Sequence, residues 1–152
     1  MARLVIIDDE SHITDIIARF FREKGHEVLG FTRADEALAH LKANSVDLVI
    51  TDIAMKGLSG LELLKKMKTA GVDVPVIVTR TTIDRYYFND SLVRFFQPND
   101  EKSLAEAMLQ LIENPGQRQE LVRNAREFIQ GYTWERNKGV YLDLVDSLLG
   151  VK

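Results

Sequence analysis

An apolar run that ends in three acids, "VIIDDE" at residues 5–10, poses the first chemical question in this chain. Asp8, Asp9 and Glu10 repel one another at such close spacing, and each resists ionising beside the others. Either a cation offsets that repulsion, or the three are capping and solvent-facing loop residues. Two further positions bear on the choice. Asp52 closes a second β-branched run, "VDLVITD" (46–52), and Thr79 closes a third, "VPVIVT" (74–79). Neighbouring strand ends would bring Asp8, Asp9 and Asp52 into one pocket. Such a hard, oxygen-rich site suits Mg²⁺, which binds few carboxylates and keeps waters that a phosphate displaces. A carboxylate beside a divalent ion can attack a phosphoryl group and form an acyl phosphate, with the Thr79 hydroxyl binding a phosphoryl oxygen. The recurrence of these residues at corresponding strand ends weighs against the cap-and-loop explanation.

The elements that must position them follow from periodicity. Strands are expected at 3–8, 27–31, 46–52, 74–79 and 92–96, several of them apolar on both faces, as central strands of a covered sheet must be. "HITDIIARFFREKG" alternates with them as a helix, with Ile13, Ile16, Ile17, Phe20 and Phe21 on one stripe and Gly25 as its stop. "DEALAHLKA" places Ala34, Leu38 and Leu41 in helical register. In "SGLELLKKMKTAG", Ser59 and Glu62 stand as a capping box and Gly71 ends the helix. Strand, helix and strand at this spacing imply right-handed crossovers and an α/β fold built on a doubly wound five-stranded parallel sheet. In such sheets ligands bind at the carboxyl ends of the strands, where the acids lie.

Three helices are expected after the last strand, at 99–113, at 114–130 with Pro115 in its first turn, and at 133–149. The last two exceed what the sandwich needs. Their apolar residues (Leu121, Phe128, Ile129; Trp134, Tyr141, Leu142, Val145, Leu148) require a partner surface. The division expected is a body at 1–113 and a helical extension at 114–152, packed on the body or pairing two subunits as a homodimer.

Composition narrows the classes. The 152 residues suit one domain with an appendage, and an apolar fraction of 45% suffices for a core. A net charge of −3 with interspersed signs carries no footprint for nucleic acid or an anionic membrane. Cysteine is absent, so disulfides and thiolate metal sites are excluded, in keeping with a reducing compartment. No run approaches the roughly 20 apolar residues of a membrane span, and a cytoplasmic location is expected. His12, His26 and His40 lack ligand spacing and read as surface or capping residues.

With these residues in view, positions 1–79 resemble the receiver domain of two-component response regulators, a CheY-like, flavodoxin-like three-layer sandwich. "VIIDDE", "DLVITDIAMKGLSGLELL" and "PVIVT" carry the resemblance, in the family's order. It implies that Asp52 is the phospho-acceptor. It also implies that Asp9 and Asp52 ligate Mg²⁺, assisted by Asp8 and by the backbone carbonyl of Ala54, with Thr79 as the switch hydroxyl. A sensor histidine kinase or phosphotransfer protein is the implied partner. The pattern then breaks. Where receivers carry a lysine before proline, this chain has Gln97-Pro98, and glutamine supplies no charge to a phosphoryl group. Arg80 replaces the small residue after the switch hydroxyl, and Arg94 stands at the aromatic switch position. Impaired switching is the consequence. An interaction module or chimeric scaffold without phosphate chemistry is the alternative.

From about residue 75 to 149 the chain resembles another family, the C-terminal end of family-four (GT-B fold) glycosyltransferases. "FFQPND" leading into "LAEAMLQLIENP", then "RQELV" and "YTWER", carry that likeness. It implies a chimera joined near Val74 to Thr79, with Gln97 belonging to the tail's pattern. A remnant that binds nucleotide-sugars is a third reading. Sugar transfer itself is not expected, because the donor-binding pair of glutamates is replaced by "GLSGLELLKKMKTAG".

Overall fold

The computed structural model describes residues 1–52, 55, 57, 58, 60–79, 88–131 and 138–139. Five parallel strands run in the order β2-β1-β3-β4-β5: β1 (Arg3–Ile7), β2 (Glu27–Phe31), β3 (Leu48–Thr51), β4 (Val76–Thr79) and β5 (Arg94–Phe96). The helices are α1 (Ser11–Glu23), α2 (Ala34–Ala43), α3 (Gly60–Thr69), α4 (Glu101–Glu113) and α5 (Pro115–Gly131). This is the doubly wound sheet expected.

Alternation along each strand divides the core. Val5, Ile7, Val49, Val76 and Val78 pack towards α2 and α3, whereas Leu4, Ile6, Leu48, Ile50 and Ile77 pack towards α1 and α4. Both faces are thereby covered, which explains the continuous apolar runs. Strand ends are one or two residues shorter than the runs suggest. Pro75 has no N–H to give the ladder, although its carbonyl accepts from Val49. Asp47 turns its carboxylate back onto the Arg3 N–H at 2.8 Å, and the Leu92 and Val93 N–H groups turn onto the Asn89 carbonyl. Gly25 and Gly71 end α1 and α3 in the left-handed region, at φ +82° and +74°.

On α1 the burial departs from the expected isoleucine stripe. Thr14, Ala18 and Phe21 are the buried residues, while Ile16 is 56% exposed. Close approach to β2 selects the small side chains. A Cβ on Gly30 would lie 3.2 Å from the Thr14 Cβ, a tight contact that glycine avoids. Rotating that face inward turns Ile13 and Ile16 towards the upper rim of the sheet.

The helix α5 packs on the body. Leu121 joins the α1–α4 side of the core and Ala125 the α2–α3 side, with Ile129 also buried. Polar anchors fix it at the amino ends of β4 and β5. Arg118 donates to the Leu111 and Ile112 carbonyls at 2.7 Å, capping α4, and Asn124 donates to the Ser91 carbonyl at 3.1 Å. Arg126 pairs with Asp73. The expected helix at 133–149, Trp134 included, lies outside the described residues apart from 138 and 139, as does Ser59.

Candidate metal and phosphoryl site

Strand register assembles the site. Ile7 pairs with Thr51 across β1 and β3, and Thr51 pairs with Val78 across β3 and β4. The next residue along each strand lies at the same level, Thr79 still paired with Phe96 of β5. Asp8, Asp52 and Thr79 therefore emerge side by side at its carboxyl edge. The Asp52 N–H donates to the Ile7 carbonyl at 3.0 Å and the Asp8 N–H to the Phe31 carbonyl at 3.1 Å, so both carboxylates stand on ordered backbone. Thr51 completes the anchor, its hydroxyl donating to the Asp52 carbonyl at 2.9 Å.

Asp8, Asp9 and Asp52 each offer a carboxylate oxygen within 4.8 Å of the others. Asp8, Asp9 and Asp52 are all of intermediate burial. Burial raises the Asp8 pKa above its ordinary value, and the charges of Asp52, Asp9 and Glu10 push it further up. The Glu10 N–H, donating to Asp8 Oδ1 at 2.9 Å, opposes them. Such a donor set fits a hard divalent cation.

The expected residues do not all meet. Asp8, Asp52 and Thr79 line one cleft of about 560 Å³, and Asp9 joins them through the carboxylate cluster. Phe96 and Pro98 line the same cleft, but Gln97 between them does not. It is exposed, and its N–H donates to the Ser103 hydroxyl at 3.0 Å. Arg94 is half-buried and pairs with Gln110 on α4. Ala54 and Arg80 lie outside the described residues. Sequence reasoning singled out Glu10 but passed over the rest of the cleft: Asp100 and Glu101 at its rim, and an apolar wall from α1 and α4. One signal was readable. Asp100 is an N-cap, accepting from the Ser103 N–H at 2.9 Å, which places the start of α4 beside the strand ends.

Residues 4–92 match the family model of the response regulator receiver domain. The chain belongs to that family. The response regulator SaeR of Staphylococcus epidermidis is 40% identical over 77 residues, which is 51% of this chain and 33% of that protein. SaeR of Staphylococcus aureus is 36% identical over a stretch of the same length. The match thus spans about a third of the length of these curated relatives. Among solved structures, the response regulator TrrA of Thermotoga maritima, in complex with Mg²⁺-BeF, superposes with a TM-score of 0.64 at 26% identity, over 73% of this chain and 99% of that one. The receiver domain of the hybrid histidine kinase CckA gives 0.61 at 32% identity, over 72% and 98%. Among the described residues no helix is long and apolar enough to cross a membrane.

Proposed function

We propose that this chain is a phospho-acceptor module of two-component signalling, with Asp52 as the acceptor and a sensor histidine kinase or phosphotransfer protein as the donor. One observation carries the reading: β1, β3 and β4 bring Asp8, Asp9 and Asp52 together, with carboxylate oxygens within 4.8 Å, and set Thr79 in the same cleft. A carboxylate oxygen of Asp52 would form a bond to phosphorus as the donor's bond to phosphorus breaks, leaving an acyl phosphate. The donor's electron pair departs with its leaving group. Thr79 stands where its hydroxyl would donate to a phosphoryl oxygen. Asp8, Asp9 and Asp52, with the Ala54 carbonyl expected beside them, would hold Mg²⁺. When bound, that ion supplies positive charge to the phosphoryl oxygens and relieves carboxylate repulsion. The Mg²⁺-BeF complex of TrrA supports this assignment by analogy.

Switching is impaired in this reading, because position 97 offers no ammonium to the phosphoryl group. The exposure of Gln97 outside the cleft also favours a second reading, an interaction module that keeps the fold without phosphate chemistry. The body at 1–113 and the extension at 114–152 remain the division we favour, with α5 docked and the segment beyond it pairing on the body or between subunits. A composite ancestry would account for Gln97: the receiver model matches to residue 92, and the motifs after it resemble those of a glycosyltransferase tail. Prolonged incubation with acetyl phosphate tests the function. Slow, hydroxylamine-sensitive gain of one phosphoryl group by the native chain, absent from Asp52→Asn, is the expected outcome. No gain under any Mg²⁺ concentration would favour the interaction module.

A further inference from the structure

The cleft extends well past the three aspartates. It runs as a groove between α1 and α4, walled by Ile13, Ile16, Ile17, Phe96 and Leu104. Ile16 is 56% exposed on that wall, one of the few large apolar side chains left to solvent among the described residues. Five carboxylates line the groove, those of Asp8, Glu10, Asp52, Asp100 and Glu101, and no lysine, arginine or histidine is among the described lining residues. Outside the lining, the exposed His12 ring lies 3.5 Å from Glu10.

Apolar walls, and charges that are all negative among the described lining residues, select one ligand chemistry. The volume of about 560 Å³ lies in the range of small-molecule sites. A neutral apolar ligand would gain nothing from the carboxylates, and an anion away from the metal position would be repelled by Glu10, Asp100 and Glu101. We propose that the groove binds an organic cation with an apolar body, a primary amine or guanidinium. Its hydrocarbon part lies on Ile13, Ile16 and Leu104, and its charged head meets the carboxylates at the rim. Glu10 and Glu101 remain available to that head when Mg²⁺ occupies the aspartates. Such a ligand brings to the carboxyl edge of the sheet the positive charge that residue 97 does not supply, and so makes acceptance of phosphate dependent on the amine. The last step rests on the phospho-acceptor reading; the binding itself does not.

Hexylammonium chloride is the probe, with 1-hexanol and hexanoate as controls. Titration is into the full chain with Mg²⁺ at about 0.15 M salt, where attraction between distant exposed charges is largely screened. Amide resonances report the site. Hexylammonium should perturb Ile16, Glu101 and Leu104 and bind about tenfold tighter than 1-hexanol, with hexanoate inert. Ile16→Ser and Glu101→Gln change exposed residues and should each weaken it by about threefold or more, with the amide spectrum confirming the fold. Equal affinity for 1-hexanol, perturbations elsewhere, or full affinity in both variants would overturn the proposal. Beryllofluoride binding, read separately on the same samples, shows whether the phospho-acceptor reading stands independently of that result.

Discussion

The two ends of the sheet treat charge in opposite ways. At the amino end, under α5, the charged groups have specified partners. Lys68 is buried, yet its ammonium donates to the Val72 and Val74 carbonyls at 3.3 Å; Arg118 covers the α4 carbonyls, and Arg126 meets Asp73. At the carboxyl end Asp8, Asp9 and Asp52 face one another, and burial adds to the penalty on Asp8. The first arrangement fixes a helix; the second stores repulsion that a bound cation would relieve. A fold of marginal stability tolerates such repulsion only at a few places, and sites with strained electrostatics are where function concentrates.

Deleting the amino-end cover should give the largest effect. A chain ending at Glu113 loses Leu121, Ala125 and Ile129 from the core and should melt far lower or aggregate. Leu121→Ala alone should cost about 2–5 kcal/mol in urea unfolding. A truncated chain of native stability would show α5 to be dispensable.

Lys68 comes next. Burial lowers its pKa from 10.5 to about 8, with Arg126 adding to the shift and Asp73 opposing it. The folded state therefore binds fewer protons than the unfolded state between those values, so stability should climb as pH rises from about 8 to about 10.5. The span of that climb is roughly a few kcal/mol. Lys68→Met should flatten it. An unchanged slope in the variant would mean that Lys68 is not the titrating group.

At the acidic end the effects are smaller. Mg²⁺ at about tenfold its Kd should add about 1.4 kcal/mol to stability. Asp9→Asn should slightly stabilise the metal-free chain and abolish the Mg²⁺ response. The raised Asp8 pKa means that its ionisation weakens the metal-free fold, so acidification through that pKa should restore stability, less so with Mg²⁺ present. A melting point indifferent to Mg²⁺ would count against the pocket. Gln97→Lys should give the smallest gain, tighter beryllofluoride binding by a few-fold, and only if the new side chain reaches over Pro98 into the cleft.

Most of the architecture was legible because β-branched runs and glycine stops are local signals. Asp8, Asp9, Asp52 and Thr79 were legible as well, since a parallel sheet sends successive strand ends to one edge. The groove was not. Ile13 and Ile16 read as core, because helical periodicity shows that a stripe is apolar without showing which part of it a neighbour covers. The Thr14–Gly30 approach that rotates α1 is a contact between elements, invisible to spacing along one of them. Gln97 was legible as a missing charge, but its place outside the cleft, with its backbone N–H held by Ser103 of the following helix, was not.

The central claim, a Mg²⁺-dependent phosphoryl site on Asp52, is tested most directly by fluorine NMR of beryllofluoride titrated into the full chain. A bound signal that requires Mg²⁺ and is lost in Asp52→Asn and Asp9→Asn is the expected result. No bound signal at saturating Mg²⁺, or one that persists in Asp52→Asn, would contradict it.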